Sequence, residues 1–178
     1  MRKDNAGFSL VELIVALAML IILTGVGAYG IGQITGFRAR ETADKIASSI
    51  TENKIETLGK AKSSGGMAWE IYKKDGDYFV RTIYDIGLAT EYAGVAEQVN
   101  DGRVDVWVGT KQVGGSARHV MAENEVYRIY FNRATGAVCN ATGATINHNP
   151  YIVVSYGNKD YDIEVISKTG KVLSNSRK

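Results

Sequence analysis

Gly7-Phe8-Ser9-Leu10-Val11-Glu12-Leu13 opens the part of this chain whose reading decides the rest. It sets one carboxylate, Glu12, at the start of an apolar run, and from Leu13 to Phe37 there is no charged residue. A membrane-crossing helix needs about 20 apolar residues, which this run supplies. An ionisable side chain within such a helix costs about 2.5–3.5 kcal/mol on insertion scales. Glu12 therefore calls for a cationic partner. Ahead of the run lies a short head, residues 1–7, with Arg2, Lys3 and Asp4.

A secretory signal has a basic start, an apolar centre and a small-residue cleavage site beyond it. The order here differs: the polar head ends on Gly7 before the apolar run, and no Ala-x-Ala site follows the run. This resembles the prepilin leader of type IV pilins and pseudopilins, over Arg2–Lys3 and from Gly7 to about Leu23. The resemblance implies that a prepilin peptidase cuts between Gly7 and Phe8, that the new Phe8 amine is methylated, and that the helix stays with the mature chain. It also implies that Glu12 pairs with the Phe8 amine of a neighbouring subunit. Helical spacing agrees, because Glu12 lies four residues from Phe8 and shares its face. A carboxylate in a first turn also suits the helix dipole. A plain signal anchor would explain the apolar run but not the glycine-phenylalanine junction.

Three segments are expected: a leader, 1–7; a transmembrane and assembly half of one long helix, 8–37; and a globular extracellular head, 38–178, that includes the amphipathic half of the helix. The helix is expected from about Phe8 to Leu58. Past the apolar run, Ala39, Ala43, Ile46, Ala47, Ile50 and Leu58 recur mostly every three or four residues, opposite Arg40, Glu41, Asp44, Lys45, Glu52 and Lys54. That pattern marks a helix laid on a sheet. At 1.5 Å per residue it would reach about 75 Å. Gly25, Gly27, Gly30 and Gly32 each cost a helix about 1 kcal/mol relative to alanine, so Thr24–Gly32 reads as a hinge. Glycines simply tolerated in a lipid-embedded helix are the equal alternative, and Gly32-x-x-x-Gly36 would also allow close helix approach.

Beyond Ser63-Ser64-Gly65-Gly66 the pattern turns to short strands. Trp69–Lys73 and Tyr78–Tyr84 flank Asp75-Gly76-Asp77, a hairpin signal. Gly87–Val99 is ambiguous, and its Ala, Glu and Gln allow a short helix. Arg103–Thr110 alternates. Val126–Phe131 and Ala137–Asn140 flank a turn, and Tyr151–Tyr156, Tyr161–Ser167 and Lys171–Leu173 form a meander. The fold class is α+β: a long N-terminal helix, membrane-spanning in its first half, packed on an antiparallel β-sheet head.

Net charge is +2 over the chain, and the leader accounts for +1 of it, so nothing draws the mature chain strongly to nucleic acid. Basic residues flank the run on both sides, so charge does not orient it; the resemblance implies a cytoplasmic N-terminus. Cys139 is the single cysteine and excludes an intrachain disulfide, unlike many pilins. Gly25-Val26-Gly27-Ala28-Tyr29-Gly30 imitates a dinucleotide fingerprint, but such a site needs a short strand before it, not a long apolar run. His119, His148 and Cys139 are read as incidental rather than catalytic. Asp75, Asp77, Asp101, Asp105, Asp160 and Asp162 form no calcium-loop pattern, so neither a metal nor a cofactor is expected. Asn140-Ala141-Thr142 is a glycosylation sequon, a pattern common by chance.

These readings add up to a non-enzymatic structural subunit of a type IV pilus or related filament, a minor pilin. Its localisation is the inner membrane, single-pass, and then the extracellular filament. Its partners are prepilin peptidase, other pilin subunits, the assembly machinery and the membrane; an extracellular ligand of the head, DNA included, stays open. The alternatives are a pseudopilin of a type II secretion or competence system and, from another class, a membrane-anchored extracellular enzyme or binding module.

Overall fold

The computed structural model describes residues 10–59, 66–100, 103–112 and 115–177, without the side chains of 23, 25–35 and 177. Helix α1 runs unbroken from Leu10 to Gly59, 50 residues. Its second half buries Ala39, Ala43, Ile46, Ile50, Asn53 and Thr57, each at most 1 % exposed. The spacing, four, three, four, three and four, holds one face of a 3.6-residue helix toward the head. Small Ala39 and Ala43 let the helix come close, while Ile46 and Ile50 each contribute about 1.5–3 kcal/mol by leaving water. Leu58, expected in the stripe, points outward and is 43 % exposed. The phase of the helix gives that place to Thr57, whose hydroxyl satisfies itself by donating to the Asn53 carbonyl at 2.7 Å.

Eleven strands follow among the described residues: β1 (Gly66–Lys74), β2 (Asp77–Ile86), β3 (Tyr92–Ala93), β4 (Glu97–Gln98), β5 (Asp105–Gln112), β6 (Gly115–Val120), β7 (Val126–Phe131), β8 (Val138–Cys139), β9 (Asn149–Tyr156), β10 (Lys159–Ile166) and β11 (Lys171–Arg177). They form two antiparallel sheets rather than the single one expected. The first has the order β3-β2-β1-β7-β8, with β4 also on β2, and the second β11-β10-β9-β5-β6. The chain crosses from first to second and back before finishing in the second, so neither sheet forms from one contiguous segment. Their inner faces share one core with α1, which includes Trp69, Ile71, Val106, Val108, Ile129, Ile152 and Val165. Two hydroxyls bolt the sheets together. Tyr127 of β7 donates to the Gly109 carbonyl of β5 at 2.7 Å, and Tyr78 of β2 accepts from the Val106 amide at 3.3 Å. Burial pushes the Tyr127 hydroxyl up to about 12.

The hairpin signals are met. Asp75 (φ 54°) and Gly76 (φ 85°) are the two central residues between Lys74 and Asp77, the positive-φ pair of a type I′ turn. Val126–Phe131 pairs with β8 across the expected turn, and the C-terminal meander is β9-β10-β11. Residues 87–99 form no helix. They are turns and two-residue strands pinned to the edge of β2, with Gly94 N–H donating to the Thr82 carbonyl at 2.7 Å and Val99 N–H to the Tyr78 carbonyl at 3.0 Å. An exposed sheet edge offers those amides partners that local helix propensity does not outweigh.

On the outer face of the first sheet Glu70 is fully buried between two arginines directly opposite it in register, Arg81 on β2 and Arg128 on β7. Arg81 donates from Nε at 2.6 Å and from Nη2 at 2.5 Å to one carboxylate oxygen, and Arg128 from Nε at 2.5 Å to the other. The guanidinium of Arg81 also lies 4.7 Å from the Tyr72 ring centroid, and Tyr72 stacks on Phe79 at 5.5 Å.

Glu70→Gln should lower stability by about 3 kcal/mol, the lower end for breaking a buried pair because both guanidinium groups reach water. Chemical denaturation of the full chain in detergent reads this, and Arg128→Gln should cost less, since Arg81 still neutralises the carboxylate. Gly170 has φ 60°, and a Cβ there would strike the Gly136 carbonyl. Gly170→Ala should therefore cost about 2 kcal/mol, against no measurable change for Gly115→Ala, where a Cβ meets nothing within 4 Å.

Candidate functional site

Among the described residues, the apolar side chains at the start of α1 are exposed rather than packed on the head. Leu10, Val11, Leu13, Ile14, Leu17, Met19, Leu20, Ile21 and Ile22 are all more than half exposed, from 52 % to 75 %. These residues point in every direction around the axis, so this stretch of the helix is apolar all round, not amphipathic. A helix of that kind is stable only when lipid or other protein surrounds it. Its one charged side chain, Glu12, is exposed in the first turn of the described helix, where the helix dipole favours a carboxylate. Thr24 satisfies its own hydroxyl by donating to the Leu20 and Ile21 carbonyls at 2.8 and 3.0 Å, the way a polar side chain enters an apolar environment without an orphaned donor.

Gly7 and Phe8, the cleavage and methylation positions, lie outside the described residues. Gly25, Gly27, Gly30 and Gly32 fall within the span of α1, but their surroundings also lie outside the description, so the hinge stays an expectation. Among the described residues no helix is long and apolar enough to cross a membrane. The uncharged run Leu13–Phe37 extends well into the side chains that are not described.

The head holds α1 through polar ties as well as the core. Trp69 Nε1 donates to Ser49 Oγ at 2.8 Å, Asn53 Nδ2 to Thr82 Oγ1 at 3.1 Å, and Lys54 Nζ to the Thr169 carbonyl at 2.8 Å. The Tyr84 hydroxyl lies 3.4 Å from Glu56, and burial together with that carboxylate raises its pKa. The apolar half is thus continuous with a firmly seated half, which makes the helix a handle on the head.

The residues screened for chemistry are dispersed. Cys139 is buried on β8 opposite Tyr130, and burial pushes its thiol pKa up, away from the thiolate that nucleophilic work needs. His119 lies on β6 in the other sheet and meets Glu125 at 2.5 Å, while His148 lies in the loop before β9. Asp75 serves the type I′ turn, Asp160 accepts from Ser155 Oγ at 2.6 Å, and Asp101 lies outside the described residues. Among the described residues no group of three or more His, Cys, Asp or Glu side chains is placed to hold a metal. Asn140 sits in an exposed loop with its side-chain oxygen accepting from the Thr142 amide, the Thr142 hydroxyl and the Ala144 amide.

Sequence reasoning missed the Arg81–Glu70–Arg128 ladder. The available signal was Glu70 between Trp69 and Ile71, an outward position in an alternating strand, with Arg81 and Arg128 in equivalent alternating positions.

Compared with known proteins, residues 2–28 match the prokaryotic N-terminal methylation motif. No curated protein and no solved structure is significantly similar to the chain. The match covers Gly7, Phe8 and Glu12 and extends into the exposed apolar half of α1, while the head lies outside it. With that match, the N-terminal segment is a type IV prepilin-like leader, the hallmark of the type IV pilin and pseudopilin family.

Proposed function

We propose that this chain is a minor pilin, a structural subunit of a type IV pilus or related filament, and not an enzyme. One observation carries the reading: the methylation motif at 2–28 runs directly into a helix whose apolar residues are exposed on every side. Such a surface needs two successive environments. Before assembly the bilayer surrounds residues 8–37, with the N-terminus cytoplasmic; after peptidase cleavage at Gly7-Phe8, neighbouring helices replace the lipid. Lipid and leucine are equally apolar, so the exchange has little hydrophobic bias, and specificity falls to the polar groups. Glu12 supplies it by pairing with the methylated Phe8 amine of an adjacent subunit, which removes the cost of a charge in hydrocarbon only when docking is correct. The head, seated on the outer half of α1, is carried to the filament surface. A pseudopilin of a secretion or competence system would share this leader and helix, and a membrane-anchored enzyme would share the helix but not need incorporation.

Intact-mass analysis of the membrane-extracted protein should show a chain beginning at methylated Phe8, and a filament-associated form that retains Met1 would reject processing at Gly7. Glu12→Ala should still be cleaved and inserted, since a buried charge has been removed and the junction is intact. Incorporation should nevertheless fall at least tenfold, because one partner of a buried pair, worth about 3–5 kcal/mol when broken, is gone. Quantifying processed protein in the sheared filament and membrane fractions decides it; undiminished incorporation of Glu12→Ala would reduce Glu12 to an interfacial polar residue.

A further inference from the structure

On the outer face of the second sheet, side chains from two strands meet on a carboxylate of a third. Lys111 of β5 and Asn149 of β9 are directly opposite each other in register, and Glu164 of β10, opposite Tyr151 of β9, reaches both diagonally. Lys111 Nζ donates to Glu164 Oε2 at 2.5 Å, and Asn149 Nδ2 donates to Glu164 Oε1 at 2.6 Å. The other end of the Asn149 amide is held as well, because its Oδ1 accepts from the Ser167 backbone N–H at 2.8 Å. These partners fix which end of the amide is which, since a carboxylate only accepts and a backbone N–H only donates. The Lys111 ammonium also lies 5.5 Å from the ring centroid of buried Tyr151, so its stem is held down on the sheet, and Glu164 is largely shielded from water. An amine, a carboxamide, a carboxylate touching both and an N–H on the carboxamide oxygen are the parts of an acyl transfer.

We propose that Lys111 and Asn149 join in an intramolecular isopeptide bond, with Glu164 carrying the protons. The contacts above are those of the chain before the bond forms. Glu164 takes a proton from the Lys111 ammonium, and the freed amine attacks Cγ of Asn149. The Nζ–Cγ bond forms, and the negative charge that gathers on Oδ1 is stabilised by the Ser167 N–H. Glu164 then gives its proton to Nδ2, the Cγ–Nδ2 bond breaks and the nitrogen leaves. The new amide keeps one hydrogen, the others depart with the nitrogen as ammonium, and Glu164 ends as the carboxylate it began. The step is a single turnover within the chain and consumes no cofactor. The same amide is protected from a competing loss. Deamidation through a succinimide needs attack by the backbone nitrogen of the next residue, and that residue is Pro150, which has no N–H. The bond ties β5 to β9, two inner strands of the second sheet, and closes the span that holds β6, β7 and β8. With Cys139 as the single cysteine, no intrachain disulfide can supply such a tie.

The test uses the full-length protein purified in detergent. Its intact mass should be lower by one ammonia than that of the unlinked polypeptide, and digestion should release a branched peptide that joins the segments around Lys111 and Asn149. A wild-type chain with no branched peptide overturns the proposal, whether its mass is full or the ammonia has been lost elsewhere. Lys111→Arg keeps a cation on Glu164 but has no nucleophilic amine, so it should retain the ammonia and, unlinked, run behind the wild type on a denaturing gel. Equal migration and equal loss of ammonia in Lys111→Arg would exclude Lys111 as the nucleophile. Glu164→Gln keeps the shape of the side chain without the proton carrier. Followed by intact mass after synthesis, it should link at least about a hundredfold more slowly, the least expected for removing a positioned general acid and base. Linking at the wild-type rate would remove Glu164 from the chemistry. Circular dichroism of both variants, matching that of the wild type, ties the lost bond to the missing group rather than to a lost fold.

Discussion

Everything in the head depends on the seating of one helical face. Ala39, Ala43, Ile46, Ile50, Asn53 and Thr57 close a core that neither sheet closes alone, because both sheets turn their inner faces toward α1. Without that stripe, β9, β10 and β1 would present Ile152, Val154, Ile163, Trp69 and Ile71 to water. The helix therefore belongs to the core on one half and leaves the described apolar side chains of the other exposed. Since the two halves are a single hydrogen-bonded rod, the surroundings of the first half fix where the head is held.

The division of polar groups follows the same logic. Within the head, charges are paired where burial would penalise them: Glu70 takes two arginines, and Glu164 takes Lys111 at 2.5 Å and Asn149 at 2.6 Å. Burial alone would raise the Glu164 pKa, yet the Lys111 and Asn149 donors hold it below the usual range. Its contribution to stability is thus full above the ordinary carboxylate pKa and is lost as the pH falls through the lowered one. Glu12 differs in place, since it lies in the apolar half of α1, and the partner proposed for it comes from another subunit.

Much of this was legible in the chain. The leader and the uncharged run were plain because they rest on residue identity at fixed spacing, which tertiary structure does not alter. The hairpin at Asp75-Gly76 was plain because only a few residues accept two positive φ values in succession. What could not be read was pairing at a distance. Alternation in Trp69–Lys73 or Tyr151–Tyr156 tells which side chains share a face but not which strand lies beside it, so one sheet was expected where the chain shuttles between two. β6 escaped because an exposed edge strand such as Gly115-Ser116-Ala117-Arg118-His119-Val120 has no buried face to pattern it. Leu58 was misplaced because hydrophobicity was weighed above helical phase, which gave the inward position to Thr57.

The unbroken course of α1 has a mechanical consequence. A pull on its apolar end is directed along the helix axis, and the seated half resists it in shear. Ile46 and Ile50 in their sockets, Trp69 on Ser49, Asn53 on Thr82 and Lys54 on Thr169 are then loaded together rather than peeled one after another. The head would travel as a rigid load on a stiff shaft, with its junction to the sheets resisting through all of these contacts at once.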